Sequence, residues 1–340
     1  MYDLLIIGAG PAGISAAYEA ETAGISYVVI EKGLIGNTIY NYPIGLTVFS
    51  TPDELELLPG GLNPGRQKPT REELLSYYVR FVLDNGLNVR TEETVLQVKH
   101  LKDESRDNIK EAVFEVITDK GRYLSNNILF AIGAMDHPRR LGVPGEDLPK
   151  VHHQFRETYP WVRKRALVVG GGNSAGEAAL FLAQEGADTT LAIYRSDWEN
   201  NDPKQGCIKY WVKQPLEEEI REHCLKLFFL GRVVEISPES VILEDETGNQ
   251  ETIENDVVFV LIGADAELGL LKDIGVRFTE GKYSMVPVYD PNTRETNVPG
   301  IFVAGHFTNE RHIKGAIETG RAAVNSIVQR KKHLLQTTAQ

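Results

Sequence analysis

The sequence predicts an α/β protein made of two three-layer domains of one design, the second inserted into the first. Three observations predict it. The pattern strand, glycine turn, helix, strand occurs twice, opening at Leu4 and again at Ala166. After the second copy an apolar run, Ile301-Phe302-Val303-Ala304-Gly305, supplies one more buried strand and leads to a closing helix. A chain of 340 residues is long for one core and suits two. Both repeats are Rossmann-like, which implies parallel sheets covered on both faces.

The elements follow in order. Leu4 to Ile7 is a short apolar run suited to a buried parallel strand. The turn Gly8-Ala9-Gly10-Pro11-Ala12-Gly13 follows, then a helix from Ile14 to Ala23 stopped by Gly24. Tyr27 to Ile30 is the second strand, and Glu31 ends it. Residues 37 to 70, rich in Gly, Pro and Asn, read as a long loop, either functional or disordered. Arg71 to Asn85 is an amphipathic helix. Residues 88 to 130 read as a small β-meander, with strands at 95–98, 113–117, 123–124 and 128–130 and an exposed charged hairpin at 102–111.

A domain crossing falls near residue 138. Leu167-Val168-Val169 is then a strand, Gly170-Gly171-Gly172-Asn173-Ser174-Ala175 a turn, and Gly176 to Gln184 a helix. Thr189 to Tyr194 is the next strand, and Cys224 lies in a helix-like stretch from Glu218 to Lys226. The run Val257 to Gly263 reads as the return to the first domain. The expected division is therefore 1–138 with 255–340 for one domain and 139–254 for the other. A helix from about Ile313 to Gln329 closes the fold, and the tail from Arg330 reads as frayed.

Composition narrows the function. A net charge of −12 gives no reason to expect nucleic acid or an anionic membrane as partner. No apolar run approaches the ~20 residues that span a bilayer, and the start is too short and acidic for a signal peptide. Two cysteines, Cys207 and Cys224, with no Cys-x-x-Cys, fit a reducing compartment, and a cytoplasmic location is expected. No metal is expected: His152-His153 lacks companion ligands at metal spacing and reads as linker.

The two turns carry the chemistry. Gly8-x-Gly10-x-x-Gly13 lies after a strand and before a helix, where a dinucleotide fingerprint must lie. Gly8 permits the tight turn, Gly10 lets the backbone approach a pyrophosphate, and Gly13 lets helix and strand pack closely. The helix start with Pro11 and Ala12 presents N–H groups and its positive end to phosphates. Glu31 ends the second strand and can accept from ribose hydroxyls. The bland alternative is a glycine turn that only packs a helix on a strand. The second fingerprint is Gly170-x-Gly172-x-x-Ala175, with Asn173 and Ser174 between. Its second strand ends in Tyr194-Arg195 rather than an acid. A carboxylate there would repel a 2′-phosphate, whereas a guanidinium can pair with it bidentately, so NADPH is favoured over NADH. As an alternative, Arg195 is a solvated surface charge.

Two fingerprints, the turn Ala131-Ile132-Gly133 and the segment Ile301 to Gly305 resemble the two-dinucleotide-domain flavoproteins. The size is similar to the low-molecular-weight thioredoxin reductase group. Ile39-Tyr40-Asn41-Tyr42-Pro43, Phe49-Ser50-Thr51, Gly171 to Ala175 and Tyr194-Arg195 resemble the bacillithiol-disulfide (bacilliredoxin) reductase family most closely. The resemblance covers roughly residues 3 to 328. It implies FAD at the first fingerprint, NADPH at the second and a homodimer. It also implies a cysteine between the second and third glycines of the first fingerprint, where this chain has Ala12.

The same resemblance implies the remaining site residues. Lys32 joins Glu31 at the FAD end of the second strand, and Gly133 and Gly305 line the cofactor. His306 stands where many relatives have an aspartate that contacts the ribityl chain; it either bonds the ribityl or gives a proton near the flavin, or is a plain polar residue at a strand end. Lys314, Gly315, Ala316 and Ile317 open the last helix toward the flavin. Thr38, Tyr40 and Asn41 either border the flavin or pack the loop. Cys207 and His306 are the weak catalytic candidates, and Cys207 reads more readily as an ordinary thiol. The expected function is hydride transfer from NADPH to FAD and on to a small disulfide or bacilliredoxin-like acceptor. The alternatives are a ferredoxin or flavodoxin as acceptor, and a flavin-binding redox sensor of low turnover.

Overall fold

The computed structural model of the chain describes residues 1–101, 113–202, 208–281, 284–310 and 312–338. Its internal contacts divide the chain into two compact units, Met1–Asp136 with Ala266–Gln340, and His137–Asp265.

The first unit is built on a five-stranded parallel sheet. Its order is Ile301–Val303, Ile128–Phe130, Leu4–Ile7, Tyr27–Ile30, Val89–Arg90. The four strands other than Val89–Arg90 are buried on both faces, which is why they read as unbroken apolar runs. Side chains alternate across the sheet. Leu4, Ile6, Val29, Leu129 and Phe302 pack with the helices Pro11–Thr22, Arg71–Asp84 and Ile313–Thr338. Leu5, Ile7, Val28, Ile30 and Phe130 pack instead with Val95, Val98, Phe114 and Val116. Those belong to a three-stranded antiparallel sheet, Val95–Leu101, Val113–Thr118 and Arg122–Ser125. Three layers result: helices, parallel sheet, antiparallel sheet.

Two helices of this unit are pressed together by small residues. A Cβ added at Gly320 would lie 2.2 Å from the Ala12 carbonyl oxygen and 2.6 Å from Ser15 Oγ. Ser15 Oγ itself lies 2.9 Å from the carbonyl oxygens of both Ala12 and Ile317. The helix Arg71–Asp84 starts where the sequence signals it. Thr70 N–H donates to Glu73 Oε2 at 2.8 Å and Glu73 N–H to Thr70 Oγ1 at 3.3 Å, a reciprocal cap.

The second unit carries a seven-stranded sheet. Its order is Gln250–Glu254, Ser240–Asp245, Leu225–Ile236, Asp188–Ile193, Arg165–Val169, Val257–Val260, Val151–His152. The long strand Leu225–Ile236 starts parallel to Asp188–Ile193 and ends antiparallel to Ser240–Asp245. One face packs with the helices Asn173–Gln184 and Tyr210–Arg221. The other holds Leu167, Val169, Ala192, Val258 and Val260 against Leu230, Val233, Val241 and Leu243. The chain enters and leaves this unit through His137–Pro138 and Ala264–Asp265, paired antiparallel. Arg139 joins that ribbon to Asp265 through Nε at 3.0 Å and Nη2 at 2.7 Å.

Several expectations are corrected. The run after Asp256 does not return to the first unit: Val257–Val260 pairs with Arg165–Val169, Phe259 opposite Val168. The second boundary moves from 255 to Asp265 and Ala266, and the first lies at Asp136 and His137. Four buried apolar residues mark a strand but not the sheet it joins. For the same reason Ile128–Phe130 belongs to the parallel sheet, not the meander. The loop 37–70 contains two one-turn helices, Asn37–Tyr40 and Pro52–Leu55. Cys224 is exposed and follows the helix Tyr210–Arg221 rather than lying in one. The closing helix runs on to Thr338, past the expected fraying point. The charged hairpin at 102–111 and Cys207 lie outside the described residues. Among the described residues no helix is long and apolar enough to cross a membrane.

Alanine is the better helix former by about 1 kcal/mol, yet Gly320→Ala is expected to destabilise the protein. The new methyl meets backbone that cannot yield, and overpacking of this kind costs about 1–3 kcal/mol. Thermal unfolding of the variant checks this; an unchanged or raised melting temperature would show that the two helices separate freely.

Candidate functional site

In the first unit the expected residues gather at the C-terminal ends of the parallel strands, where open α/β sheets bind ligands. Gly8 follows Leu4–Ile7 with φ +110, and a Cβ on it would lie 2.4 Å from the Ala131 carbonyl oxygen. A Cβ on Gly13 would lie 1.9 Å from the Gly8 carbonyl oxygen, so helix and turn are in direct backbone contact. Gly10 differs: a Cβ there would meet nothing within 4 Å. It is the extended N-cap of the helix Pro11–Thr22, which has no side-chain cap and carries Pro11 in its first turn. The helix start thus faces open space with its N–H groups uncapped by side chains, as a phosphate group requires.

Glu31 braces this turn. It is 7% exposed, and its two oxygens accept from Ala9 N–H and Gly33 N–H, each at 2.7 Å. Burial pushes its carboxyl up, partly offset by those two backbone bonds. Lys32 pairs with Asp136 at 3.0 Å. Thr38 Oγ1 lies 4.0 Å from where a Cβ of Gly133 would be, so the two predicted turns do meet. Gly36 N–H donates to the Ala9 carbonyl at 2.9 Å, tying the Thr38–Asn41 segment to the fingerprint.

The strand Ile301–Val303 delivers Gly305 onto Ala12: a Cβ on Gly305 would lie 3.1 Å from Ala12 Cβ and 4.0 Å from Ala316 Cβ. Gly305 N–H donates to Thr319 Oγ1 at 3.1 Å, and its carbonyl accepts from Thr308 Oγ1 at 2.7 Å. His306, next in the chain, is partly buried, and Ala316 and Ile317 are buried. A Cβ on Gly315 would lie 2.3 Å from Glu310 Oε2, and the Asp53 carboxyl is lowered chiefly by a hydrogen bond from the Thr51 side chain, with a smaller contribution from Lys314.

The second unit repeats the design. Gly170 has φ +151, and its Cβ would lie 2.3 Å from the Leu261 carbonyl oxygen. Gly172 is the extended N-cap of Asn173–Gln184, again without a side-chain cap and with nothing within 4 Å of an added Cβ. Ala175 is fully buried at the third fingerprint position, and Ser174 is exposed. Asn173 Oδ1 accepts from Lys209 N–H at 2.8 Å, fixing the loop ahead of Tyr210–Arg221. Tyr194 and Arg195 follow the strand Asp188–Ile193, and both are partly exposed.

Some site residues carried no sequence signal. Arg71 is buried and donates to the Tyr40 carbonyl at 3.2 and 2.6 Å, clamping that loop. Arg294 is 5% exposed, donates to Thr308 Oγ1 at 3.2 Å and lies 4.4 Å from the Tyr289 ring centroid, behind the Gly305 turn. Asp197 Oδ2 would lie 2.2 Å from a Cβ on Gly171. All depend on contacts that no local motif announces. The reading of His152-His153 as linker is corrected. His152 lies in a strand, 5.3 Å from Trp161 and 5.5 Å from Phe259 between ring centroids, and burial lowers its pKa. Among the described residues no group of three or more His, Cys, Asp or Glu side chains could hold a metal.

A family model described as pyridine nucleotide-disulphide oxidoreductase matches residues 5–305. Bacilliredoxin reductase Bdr of Bacillus subtilis (strain 168) is 35% identical over 334 residues, covering 97% of this chain and 98% of that protein. A ferredoxin–NADP reductase of Ignicoccus hospitalis is 28% identical over 314 residues, covering 91% and 90%. Among solved structures, bacillithiol disulfide reductase Bdr from Staphylococcus aureus superposes with a TM-score of 0.88 at 31% identity, over 97% of this chain and 99% of that one. The T. acidophilum thioredoxin reductase gives 0.73 at 23% identity over 97% and 98%, and shows the shared fold.

Glu177, on the second fingerprint helix, yields a pH test. Burial alone pushes its carboxyl from 4.5 up to about 7. The folded state therefore holds the proton more tightly than the unfolded chain, and ionisation costs stability. That cost is absent below the unfolded value, grows from there to about 7, and is complete above it. Glu177→Gln removes it, so the variant should gain about 1–2 kcal/mol over the parent at pH 8 relative to pH 5. Denaturant melts at the two pH values check this; a gain independent of pH would show that the carboxyl is solvated.

Proposed function

Because the chain belongs to the pyridine nucleotide-disulphide oxidoreductase family, we propose that this oxidoreductase holds FAD in its first unit and NADPH in its second and reduces a disulfide. The acceptor class is a low-molecular-weight thiol disulfide or a bacilliredoxin-like protein. One observation carries the two-cofactor reading: each unit has an uncapped helix start whose glycine, Gly10 or Gly172, faces open space at the C-terminal end of a strand paired in parallel with its neighbours. The similarity to Bdr proteins along nearly the whole chain supports the acceptor. The bound cofactors would supply hydride transfer and onward passage of the electron pair, while the residues of the chain would hold and orient them.

The chain's own residues bind and orient. Gly8, Gly10, Pro11, Ala12 and Gly13 would hold the FAD pyrophosphate against the helix start. Glu31 would accept from ribose hydroxyls with lone pairs left over from Ala9 and Gly33, and Lys32 would flank it. Gly133 and Gly305 would let backbone approach the cofactor, with His306 at the strand end. The helix start at Lys314, Gly315, Ala316 and Ile317 would place N–H groups where reduced flavin gathers negative charge. Thr38, Tyr40 and Asn41 would border the ring. In the second unit Gly170, Gly172, Asn173, Ser174 and Ala175 would receive the NADPH pyrophosphate, and Tyr194 and Arg195 the adenosine end. On this reading His137–Asp265 is an NADPH domain inserted in a discontinuous FAD domain.

A second acceptor reading has its own support. Ala12 is 4% exposed and packed against Gly305, so the fingerprint offers no thiol for exchange. A ferredoxin–NADP reductase is among the relatives.

Anaerobic titration followed by visible absorbance tests the proposal. NADPH should bleach the oxidised flavin band promptly, and NADH poorly. Arg195→Leu should lower the preference for NADPH about tenfold, the worth of a lost bidentate charge pair. Turnover with bacillithiol disulfide or a bacilliredoxin, and none with ferredoxin, would support the disulfide reading. The reverse would replace it, and a flavin reduced by neither nucleotide would overturn the two-cofactor reading.

A further inference from the structure

The end of the strand Asp188–Ile193 is more elaborate than a lone cation. Ile193 lies opposite Phe229 in the parallel register of Leu225–Ile236. That same strand then turns to pair antiparallel with Ser240–Asp245, Leu230 opposite Asp245. The switch is made possible by Gly231, where a Cβ would lie 2.4 Å from the Asp245 carbonyl oxygen. The consequence is that the turn after Asp245 arrives beside Arg195, fifty-one positions away in sequence.

Three groups converge there. The Arg195 guanidinium lies 3.8 Å from the centroid of the Phe229 ring. Its Nε donates to Glu246 Oε2 at 2.8 Å, and its Nη1 reaches Glu199 Oε1 at 3.5 Å. Glu246 does not sit on a loose loop. Asp245 Oδ1 accepts from Thr247 N–H at 2.8 Å, Thr247 Oγ1 at 2.7 Å and Asn249 N–H at 2.9 Å, which fixes the turn. The ring restrains the plane of the guanidinium, and a fixed carboxylate engages one edge. A guanidinium has five N–H donors, so donors remain for a second anion.

We propose that Glu246 is a built-in competitor of the coenzyme's 2′-phosphate, acting through Arg195 on the Phe229 ring, and that this group sets how strongly the second unit prefers NADPH to NADH. The inference rests on the NADPH reading above and adds the residues that tune it. Glu246 is a positioning residue of opposite sign to the site: it holds Arg195 in place and opposes the arriving phosphate. The 2′-phosphate is therefore bound more weakly than Arg195 alone would bind it, which favours release of the oxidised coenzyme after each transfer. Phe229 has the opposite effect. It keeps the fork flat and in place whichever anion is engaged.

The test uses the full-length holoprotein and two probes, adenosine 2′,5′-bisphosphate and 5′-AMP, whose affinities are measured by calorimetry at low salt. Their ratio isolates the 2′-phosphate, and general damage to the fold would weaken both alike. Glu246→Gln keeps an acceptor for Nε and removes only the charge. It should raise the bisphosphate-to-AMP preference about three- to tenfold, the Coulomb repulsion between a carboxylate and a phosphate across an exposed guanidinium. That gain should shrink as salt is added. Phe229→Leu should lower the preference about two- to fivefold, the worth of an exposed cation–π contact. If Arg195→Leu abolishes the preference while Glu246→Gln leaves it unchanged or lowers it, the competitor role is overturned and the NADPH reading stands. If the parent protein does not prefer the bisphosphate at all, the NADPH reading fails and the inference with it.

Discussion

Backbone pressed on backbone is the constraint from which the first unit's site follows. Gly13 allows the fingerprint helix to lie on the Gly8 carbonyl, and Gly320 allows the closing helix to lie on the Ala12 carbonyl. Neither approach tolerates a Cβ. Together they fix three parts at one edge of the sheet: the turn after Leu4–Ile7, the turn after Ile301–Val303 and the start of the closing helix. Ser15, bonded toward both helices, and Thr319, bonded to the Gly305 N–H, lock the arrangement with buried polar contacts. The site exists because these residues are small. Chemistry added by larger side chains comes afterwards.

The electrostatics follow the same division. Two helix starts without side-chain caps supply positive potential at the glycine turns with no cationic side chain capping them. The buried cations serve elsewhere. Arg71 is held by the Tyr40 carbonyl and the Glu72 carboxylate, and Arg294 by the Val303 carbonyl, the Thr308 hydroxyl and the Tyr289 ring, so both hold loops in shape. Glu31 is bound to the turn it adjoins, so its role in shaping the cradle does not depend on a ligand. A buried charge of this kind is costly unless paired or hydrogen-bonded. Its two short backbone bonds explain how the turn can keep an acid that a ribose would also use.

Much of this was legible in the chain. Strands Leu4–Ile7 and Tyr27–Ile30 fall where periodicity places them, and both fingerprints sit at strand–helix junctions. Local pattern succeeded wherever the signal was local: an apolar run, a glycine at a turn, the Thr70 cap. It failed where one run could serve either of two sheets. Val257–Val260 and Ile128–Phe130 are both short, apolar and wholly buried, and only pairing decides their place. The site shows the same limit. Gly10 and Gly172 announce themselves, whereas Arg71, Arg294, Phe229 and Glu246 act on groups far along the chain.

That contrast bears on how such a protein can change its chemistry. The two glycine turns are fixed by backbone contacts at Gly8, Gly13 and Gly170, so a larger residue at those positions would disturb the fold itself. The proposed coenzyme selectivity, by comparison, rests on exposed side chains. Arg195 is partly exposed, and one of its partners, Glu246, comes from a hairpin that extends the second sheet. Ala12 is buried, and a Cβ on Gly305 would lie 3.1 Å from its own Cβ, so the fingerprint turn and the Gly305 turn pack directly on each other. On the proposed reading, electrons would leave by way of bound cofactor, since this chain has alanine rather than a thiol at that position.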